Sequence, residues 1–263
     1  MPRVRMDLLM VERGLAESRA QAQALIMAGK VRLDGEVALK AGTAVDPESR
    51  LELEQGPRFV SRGGEKLDAG LAAFSLDVTG LVCADVGAST GGFTDCLLQR
   101  GASRVYAMDV GKGILHWKLR NDPRVVVMEQ TNARFVAALP ETIALATIDA
   151  SFISLRVLLP VVQGWLPKGE DADTGGIVML IKPQFEAGKR DVSRGKGVIR
   201  DAQVHRRVLT DVLSFCEAEG LGIRGLSKSP LLGPKGNTEF LAWVKRGAST
   251  APIEEWIQGV AGA

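Results

Sequence analysis

The chain has 263 residues, of which 46% are apolar and 24% are charged, and its formal net charge is only +2. This composition is that of an ordinary soluble globular protein, with room for one large domain plus a small one. Its apolar runs are too short to cross a bilayer and its first residues lack the apolar core of an export signal, so we expect a cytoplasmic protein without stable membrane association. The three cysteines share no CxxC spacing, so neither a metal site nor a disulfide framework is expected.

The first 55 residues have the pattern of a compact ααβ unit. Apolar residues ahead of Gly14 predict a short helix, and Ser18 predicts the N-cap of a second helix over residues 19–28. Two alternating segments around the Asp34-Gly35 pair predict a hairpin. The predicted strands of this unit are 31–33, 37–39, 45 and 51–53.

From residue 60 onward strands alternate with longer helices, a pattern that favours a parallel, doubly wound α/β sheet. The predicted strands are 81–85, 104–109, 125–129, 145–149, 176–182, 223–228 and 239–245, and the predicted helices are 66–74, 92–100, 155–165 and 202–219. We therefore divide the chain into an N-terminal domain (1–55), a linker (56–62), a large domain (63–247) and a C-terminal tail without an assigned element (248–263).

A glycine turn joins the first strand of the large domain to the helix that follows. Its spacing, DxGxxxGG, differs from the GxGxxG of dinucleotide enzymes and is expected where a backbone cradles the methionyl part of S-adenosylmethionine. Asp109 ends the next strand about twenty residues later, where an acid can accept hydrogen bonds from the ribose hydroxyls of a cofactor. The alternative is a plain glycine turn with a surface aspartate. The predicted cofactor-binding residues here are Asp85, Gly87, Ala88, Ser89, Gly91, Gly92 and Asp109.

Two charged residues end neighbouring strands at the same predicted sheet edge. Lys182 ends the fifth strand of the large domain and Asp149 ends the fourth, so both side chains face the cleft. Methyl transfer to a ribose needs alignment and the management of one proton, since a hydroxyl is a poor nucleophile. Lys182 is suited to orient or deprotonate that hydroxyl, and Asp149 to hold the ammonium group. The alternative for each is a solvated charge at a strand end.

Lys66 and Glu239 extend this set, and here the chain resembles a known family. The order Lys66, Asp149, Lys182, Glu239 resembles the Lys-Asp-Lys-Glu set of FtsJ-like ribose 2′-O-methyltransferases. The segments SRGGEKL, DVGASTGGFTD, DASFISL, KPQFE and GNTE resemble the TlyA family of hemolysin-annotated rRNA methyltransferases. The resemblance extends from Arg3 to Lys245.

The resemblance implies a Rossmann-like S-adenosylmethionine-dependent methyltransferase fold behind an S4-type RNA-binding domain. It implies that Lys182 lies nearest the target hydroxyl, that Asp149 and Glu239 tune it, and that Lys66 supplies positive charge or positions the substrate. It also places Asn132 near the adenine end of the cofactor. The implied substrate is a cytidine ribose in ribosomal RNA, in the large subunit or in both subunits.

Basic residues in two regions are candidates for RNA contacts. The N-terminal unit resembles an S4-type domain, whose helices present arginines to an RNA backbone. Residues 182–207 hold eight basic side chains against three acidic ones, a net charge of +5, and the loop 188–200 within them follows the fifth strand directly. A solvated charged surface is the alternative in both places. The predicted RNA-binding residues are Arg3, Arg5, Arg19, Lys30, Arg32, Lys189 and Arg190.

Other functions are weighed by what the chain lacks. Methylation of a base amino group favours an (Asn/Asp)-Pro-Pro-aromatic loop after the fourth strand, where this chain has DASF. Methylation of a cytosine ring carbon needs a thiolate in the cleft, and no cysteine is well placed for it. Two rival functions are a non-catalytic RNA-binding or ribosome-assembly protein and a membrane-active hemolysin. The sequence makes no prediction of oligomeric state.

Overall fold

The structure is a computed structural model that describes residues 2–54, 56–168 and 175–261. The chain divides into two compact units, Met1–Arg58 and Phe59–Ala263. Residues 59–62, which were predicted to be part of the linker, belong to the larger unit, and Phe59 is buried in its core.

The smaller unit combines two helices with short strands. Ser18 caps the second helix as predicted, since its side chain accepts a hydrogen bond from the backbone of Gln21. Asp34 and Gly35 both have positive φ, as a tight two-residue hairpin turn requires. The elements are β1 (Val4–Arg5), α1 (Met6–Glu12), α2 (Arg19–Met27), β2 (Val31–Leu33), β3 (Glu36–Val37), β4 (Ala44–Val45) and β5 (Leu51–Leu53).

Two small antiparallel sheets complete this unit. One has the order β3-β2-β5, and the other pairs β1 with β4. Apolar residues from both helices and from β2 form its core, because Met6 and Met10 lie one turn apart on α1 and meet Ile26 of α2 and Val31.

The larger unit is built on a seven-stranded sheet with the order β11-β12-β10-β9-β6-β7-β8. Its strands are β6 (Val82–Val86), β7 (Arg104–Met108), β8 (Val125–Met128), β9 (Leu145–Ile148), β10 (Gly176–Ile181), β11 (Leu221–Lys228) and β12 (Phe240–Arg246). Its helices are α3 (Gly63–Ala73), α4 (Gly92–Gln99), α5 (Trp117–Arg120), α6 (Leu155–Trp165), α7 (Pro183–Glu186), α8 (Lys189–Arg194), α9 (Ala202–Ala218) and α10 (Ile253–Ala261), with a 3-10 helix at Ala133–Phe135.

The sheet is parallel except at one strand. Strand β12 runs antiparallel to both β10 and β11, so the prediction of a wholly parallel sheet is wrong there. The reason is the connection: residues 229–239 join β11 to β12 without a crossover helix, and such a connection returns the chain in the opposite direction. The α/β fold itself is as predicted, with every residue of β9 and β10 buried.

Two segments without a predicted element contain helices. The predicted tail contains α10, whose Ile253 and Ile257 lie one turn apart and are buried against the core. The predicted loop 188–200 contains α8. In the described ranges, no helix is long and apolar enough to cross a membrane.

The topology determines where a ligand can bind. The chain proceeds from β6 to β7 and β8 on one side, then returns to place β9 on the other side of β6. Adjacent loops therefore leave the carboxyl ends of β6 and β9 in opposite directions and open a crevice between them.

Candidate active site

Two cavities lie at this crevice and share a wall. The large cavity has a volume of about 510 Å³, and its lining includes Asp109, Asn132 and Phe152. The small cavity has a volume of about 210 Å³, and its lining includes Lys66 and Pro234. Gly87, Ser89 and Asp149 line both.

The glycine turn forms the shared wall because its backbone passes close to other chain segments. Gly87 has a φ of +85°, and a Cβ atom there would lie 2.7 Å from the carbonyl oxygen of Asp149. Gly91 has a φ of +98°, and its Cβ would lie 2.2 Å from a methyl carbon of Leu119. Both positions therefore require glycine, for conformation and for space.

Asp109 ties the glycine turn to the end of β7. Its carboxylate accepts hydrogen bonds from the backbone N–H of Ser89 and of Gly111, each at 2.8 Å. Asn132 lies further along the large cavity, and its side chain accepts a hydrogen bond from the backbone N–H of Arg134, which starts the 3-10 helix. Both predicted residues thus line the large cavity with polar atoms.

Asp85, which was predicted to contact the cofactor, does not line either cavity. Its side chain is fully buried, where it accepts hydrogen bonds from the hydroxyls of Thr94 at 2.7 Å and Thr147 at 3.2 Å. Burial raises the pKa of Asp85 to about 7. Asp85 therefore supports the turn from behind by joining β6 to α4 and β9. Gly91 likewise lines neither cavity, whereas Ala88 and Gly92 line the small one.

The four charged residues that were predicted to be catalytic form two ion pairs. Lys182 Nζ lies 2.6 Å from Oδ1 of Asp149, and it donates a hydrogen bond to Ser151 Oγ at 3.0 Å. Lys66 Nζ donates to Glu239 Oε2 at 2.6 Å. Lys66 and Asp149 line the small cavity, so each pair has one member at that cavity.

This pairing differs from the arrangement implied by the family resemblance. Glu239, which is 1% exposed, contacts Lys66 rather than Lys182. The packing of α3 against β12 explains the difference. Glu239 lies directly before β12, and α3 carries Lys66 to it. Buried charges of opposite sign need such partners.

The segment after β10 holds Lys182 in place. Lys182 precedes α7, whose Glu186 accepts hydrogen bonds from Ser154 Oγ at 2.7 Å and from the backbone N–H of Leu155 at 2.8 Å. The ring of Phe185 lies 5.8 Å from Lys182 Nζ. These contacts connect the lysine to the start of α6 and leave its side chain 10% exposed.

Two residues beside this lysine are not among the predicted site residues. Ser151 accepts the hydrogen bond from Lys182, and Phe152, with a φ of +62°, is 91% exposed and packs against Phe185 at 4.9 Å between ring centroids. The DASF segment contains both, but a strained backbone and an exposed ring leave no periodic signal in sequence.

The predicted RNA-binding residues have unequal surroundings. Arg5 and Arg19 both donate to the buried carboxylate of Asp7. Arg32 donates to the carbonyl oxygen of Gly35 at 3.2 Å. Arg3, Lys30 and Arg190 are exposed, and the side chain of Lys189 lies outside the described residues.

The cysteines are placed against thiolate chemistry. Cys83, Cys96 and Cys216 are all buried, and burial raises the pKa of both Cys83 and Cys216 to about 12. A thiol with such a pKa stays protonated at neutral pH and does not attack a base.

Comparison with known families supplies a decisive match. The FtsJ-like methyltransferase family matches residues 59–246. The chain belongs to the FtsJ-like methyltransferase family. Membership implies S-adenosylmethionine-dependent methylation, and residues 4–51 of this FtsJ-like chain match an S4 domain.

Several relatives of the FtsJ-like chain match it over at least nine-tenths of their length. It is 48% identical to the 16S/23S rRNA (cytidine-2′-O)-methyltransferase TlyA of Mycobacterium tuberculosis, covering 92% of this chain and 90% of that protein. It is 40% identical to Hemolysin A of Brachyspira hyodysenteriae, covering 91% and 98%. A solved structure from Streptococcus thermophilus that carries a hemolysin designation superposes with a TM-score of 0.72 at 42% identity, covering 100% of this chain and 96% of that one.

Proposed function

We propose that this FtsJ-like protein is an S-adenosylmethionine-dependent ribose 2′-O-methyltransferase of ribosomal RNA, with a cytidine as its target. The observation that carries the proposal is the junction of the two cavities. A nucleotide-sized large cavity meets a small cavity at Asp149, whose carboxylate is paired with Lys182 at 2.6 Å. The TlyA relative, named as a 16S/23S rRNA (cytidine-2′-O)-methyltransferase, supports the choice of rRNA and of cytidine.

The residues of the large cavity fit the cofactor. A volume of about 510 Å³ lies within the range of small-molecule sites. The missing Cβ of Gly87 lets the backbone approach a ligand, and Ser89, Asp109 and Asn132 offer polar atoms to it. These four residues would hold the cofactor, whose sulfonium methyl is an activated electrophile. Ala88 and Gly92 would shape the entrance to the small cavity, while Asp85 and Gly91 support the turn.

The small cavity would receive the ribose hydroxyl, whose proton must leave as the methyl group is transferred. A lysine ammonium has three N–H donors; Lys182 donates one to Ser151, and its charge is paired with Asp149 Oδ1 at 2.6 Å. Lys182 lines neither cavity and lies directly behind Asp149, which lines both, so the ribose hydroxyl would have to enter beside Asp149 to reach the amine. The amine would then accept the hydroxyl proton, and the Asp149 carboxylate would stabilise the ammonium that results.

The second ion pair would position the substrate. Lys66 faces the small cavity from α3 and is oriented by Glu239, so its positive charge is available to a phosphate or hydroxyl oxygen of the RNA. Because Glu239 is buried, it would orient Lys66 by accepting its hydrogen bond and would not reach the ribose.

The remaining features support RNA as the substrate. The unit 1–58 contains the S4 match and presents arginines, so we assign it to RNA docking and the unit 59–263 to catalysis. The exposed Phe152 ring beside Lys182 offers a stacking surface to an unpaired base, which is how single-stranded RNA is commonly bound.

A labelled methyl-transfer assay tests the proposal. The purified chain is incubated with methyl-labelled S-adenosylmethionine and with bacterial ribosomal subunits or deproteinised rRNA, and 2′-O-methylated positions are then mapped. We expect label on the ribose of a cytidine. Tight RNA binding without label would instead indicate a non-catalytic RNA-binding protein, and label on a base would contradict ribose methylation.

A further inference from the structure

A buried carboxylate at the start of α1 joins three elements of the smaller unit. Asp7 has no exposed surface. Its Oδ1 accepts from Arg5 Nε at 3.0 Å, and its Oδ2 accepts from Arg5 Nη2 at 2.9 Å and from Arg19 Nε at 3.0 Å. Gln23 Nε2 also donates to Oδ2, at 2.8 Å. The carboxylate thus connects β1, α1 and α2.

Apolar packing does not account for this acid. The core of the unit already joins α1 to α2 through apolar residues such as Met10 and Ile26. Burying a carboxylate costs free energy that an apolar side chain of the same size would not. The hydrogen bond from Arg5 holds the pKa of Asp7 well below its usual range, so the group stays charged at neutral pH. The role of Asp7 must therefore lie in the side chains that donate hydrogen bonds to it.

Asp7 holds two arginines whose outer edges face solvent. The side chains of Arg5 and Arg19 are 45% and 52% exposed. A guanidinium has five N–H donors in a rigid plane. Arg5 donates to Asp7 only from Nε and Nη2, and Arg19 donates from Nε. Gly42 adds to the arrangement, since a Cβ there would lie 3.1 Å from Arg5 Nη1 and would crowd the group.

Without the acid, two guanidinium groups this close would repel each other and adopt many rotamers. Both donate to the same oxygen, Asp7 Oδ2, which keeps them adjacent and leaves a net charge of +1 for the three groups. Fixed, adjacent guanidinium planes match the geometry of a phosphate, whereas mobile ones lose side-chain entropy on binding.

We propose that Asp7 is a positioning residue for RNA, which fixes Arg5 and Arg19 as a paired clamp for a backbone phosphate. This inference rests on the proposed function, because it assumes that the smaller unit docks on RNA. It makes a prediction opposite in sign to simple electrostatics. Neutralising an acid beside two arginines should strengthen phosphate binding if only net charge matters, and should weaken it if the acid sets their geometry.

The test compares Asp7→Asn with Glu52→Gln in the full-length chain. Glu52 lies on β5 and pairs with the exposed Arg50 just before that strand, so its neutralisation changes the charge of the same unit by the same amount. Affinity for deproteinised rRNA is measured over a series of salt concentrations. We expect Asp7→Asn to weaken binding on the order of tenfold and to flatten its salt dependence, with Glu52→Gln within about twofold of wild type.

A mutant-cycle comparison, which treats the two arginines as one unit, keeps the inference falsifiable if Asp7→Asn also loosens the fold, which circular dichroism and Tm will show. Adding Asp7→Asn to Arg5→Ala/Arg19→Ala should change RNA affinity by less than about twofold, because the acid acts through those arginines. The charge-preserving Arg5→Lys/Arg19→Lys variant should also weaken binding, since an ammonium lacks the guanidinium plane.

The outcomes separate this inference from the proposed function. Equal or tighter RNA binding by Asp7→Asn, or full affinity in the double lysine variant, overturns the clamp while methyl transfer by the wild-type chain leaves the enzyme assignment intact. Wild-type protein that neither binds nor methylates rRNA would instead overturn the proposed function.

Discussion

Removing the amine of Lys182 is the sharpest test of the catalytic arrangement. Lys182→Ala deletes the group that lies 2.6 Å from Asp149 and leaves both cavities lined as before, since Lys182 lines neither of them. General acid–base catalysis contributes about a hundred- to ten-thousand-fold to a rate. We therefore expect single-turnover methyl transfer to fall by about that factor.

Cofactor binding should respond differently. The demethylated product, S-adenosylhomocysteine, carries no sulfonium charge, so its Kd by calorimetry should stay within about twofold of wild type. The unpaired Asp149 carboxylate should tighten binding of the cationic cofactor relative to this product. Lys168→Ala, at an exposed lysine beyond the end of α6, serves as the matched control and should retain full turnover. A parallel loss of turnover and of product affinity would refute the proton-handling role, as would a variant that keeps most of its rate.

Three further predictions address the buried groups. Lys66→Met leaves Glu239 buried without a partner, so urea unfolding should show a loss of about 3–5 kcal/mol, and adding Glu239→Leu should restore stability but not methyl transfer. Gly87→Ala should weaken S-adenosylhomocysteine binding more than tenfold, because the new Cβ would lie 2.7 Å from a carbonyl oxygen. Gly80→Ala is the control: its φ of +75° is similar but the space around it is open, so it should lose stability only through backbone strain and should bind normally. Burial raises the pKa of Asp85 to about 7, so the folded state keeps a proton that the unfolded chain releases above about pH 4. The contribution of this group to the free energy of unfolding is therefore lost as pH rises from about 4 to 7, by at most about 4 kcal/mol. Asp85→Asn should remove that decline, and identical pH profiles for variant and wild type would contradict it.

Much of the fold follows from local patterns. Helix α6 begins and ends at the predicted residues, and Ser18 caps α2, because apolar periodicity and capping chemistry act over a few neighbouring residues. Helix α10 was missed although its buried Ile253 and Ile257 have helical spacing, since the pattern is short and lies at the chain end. The reversal of β12 depends on its neighbours in the sheet rather than on its own residues.

The sequence alone places the residues that stand at the carboxyl edge of the sheet. Parallel strands present their ends at one edge, so Asp149 and Lys182 could be placed together from strand boundaries alone. It also determined the glycine turn, because the turn needs conformations and space that only glycine provides.

Which charge pairs with which depends on tertiary packing. Lys66 and Glu239 are 173 residues apart, and their contact depends on strand order and on how α3 packs. The same holds for Asp7, whose burial beneath Arg5 and Arg19 requires α1 and α2 to meet. Such partners leave no local signal, because the residues around a charged side chain in the sequence do not show whether it is solvated or buried. Only packing removes the water that would otherwise solvate it.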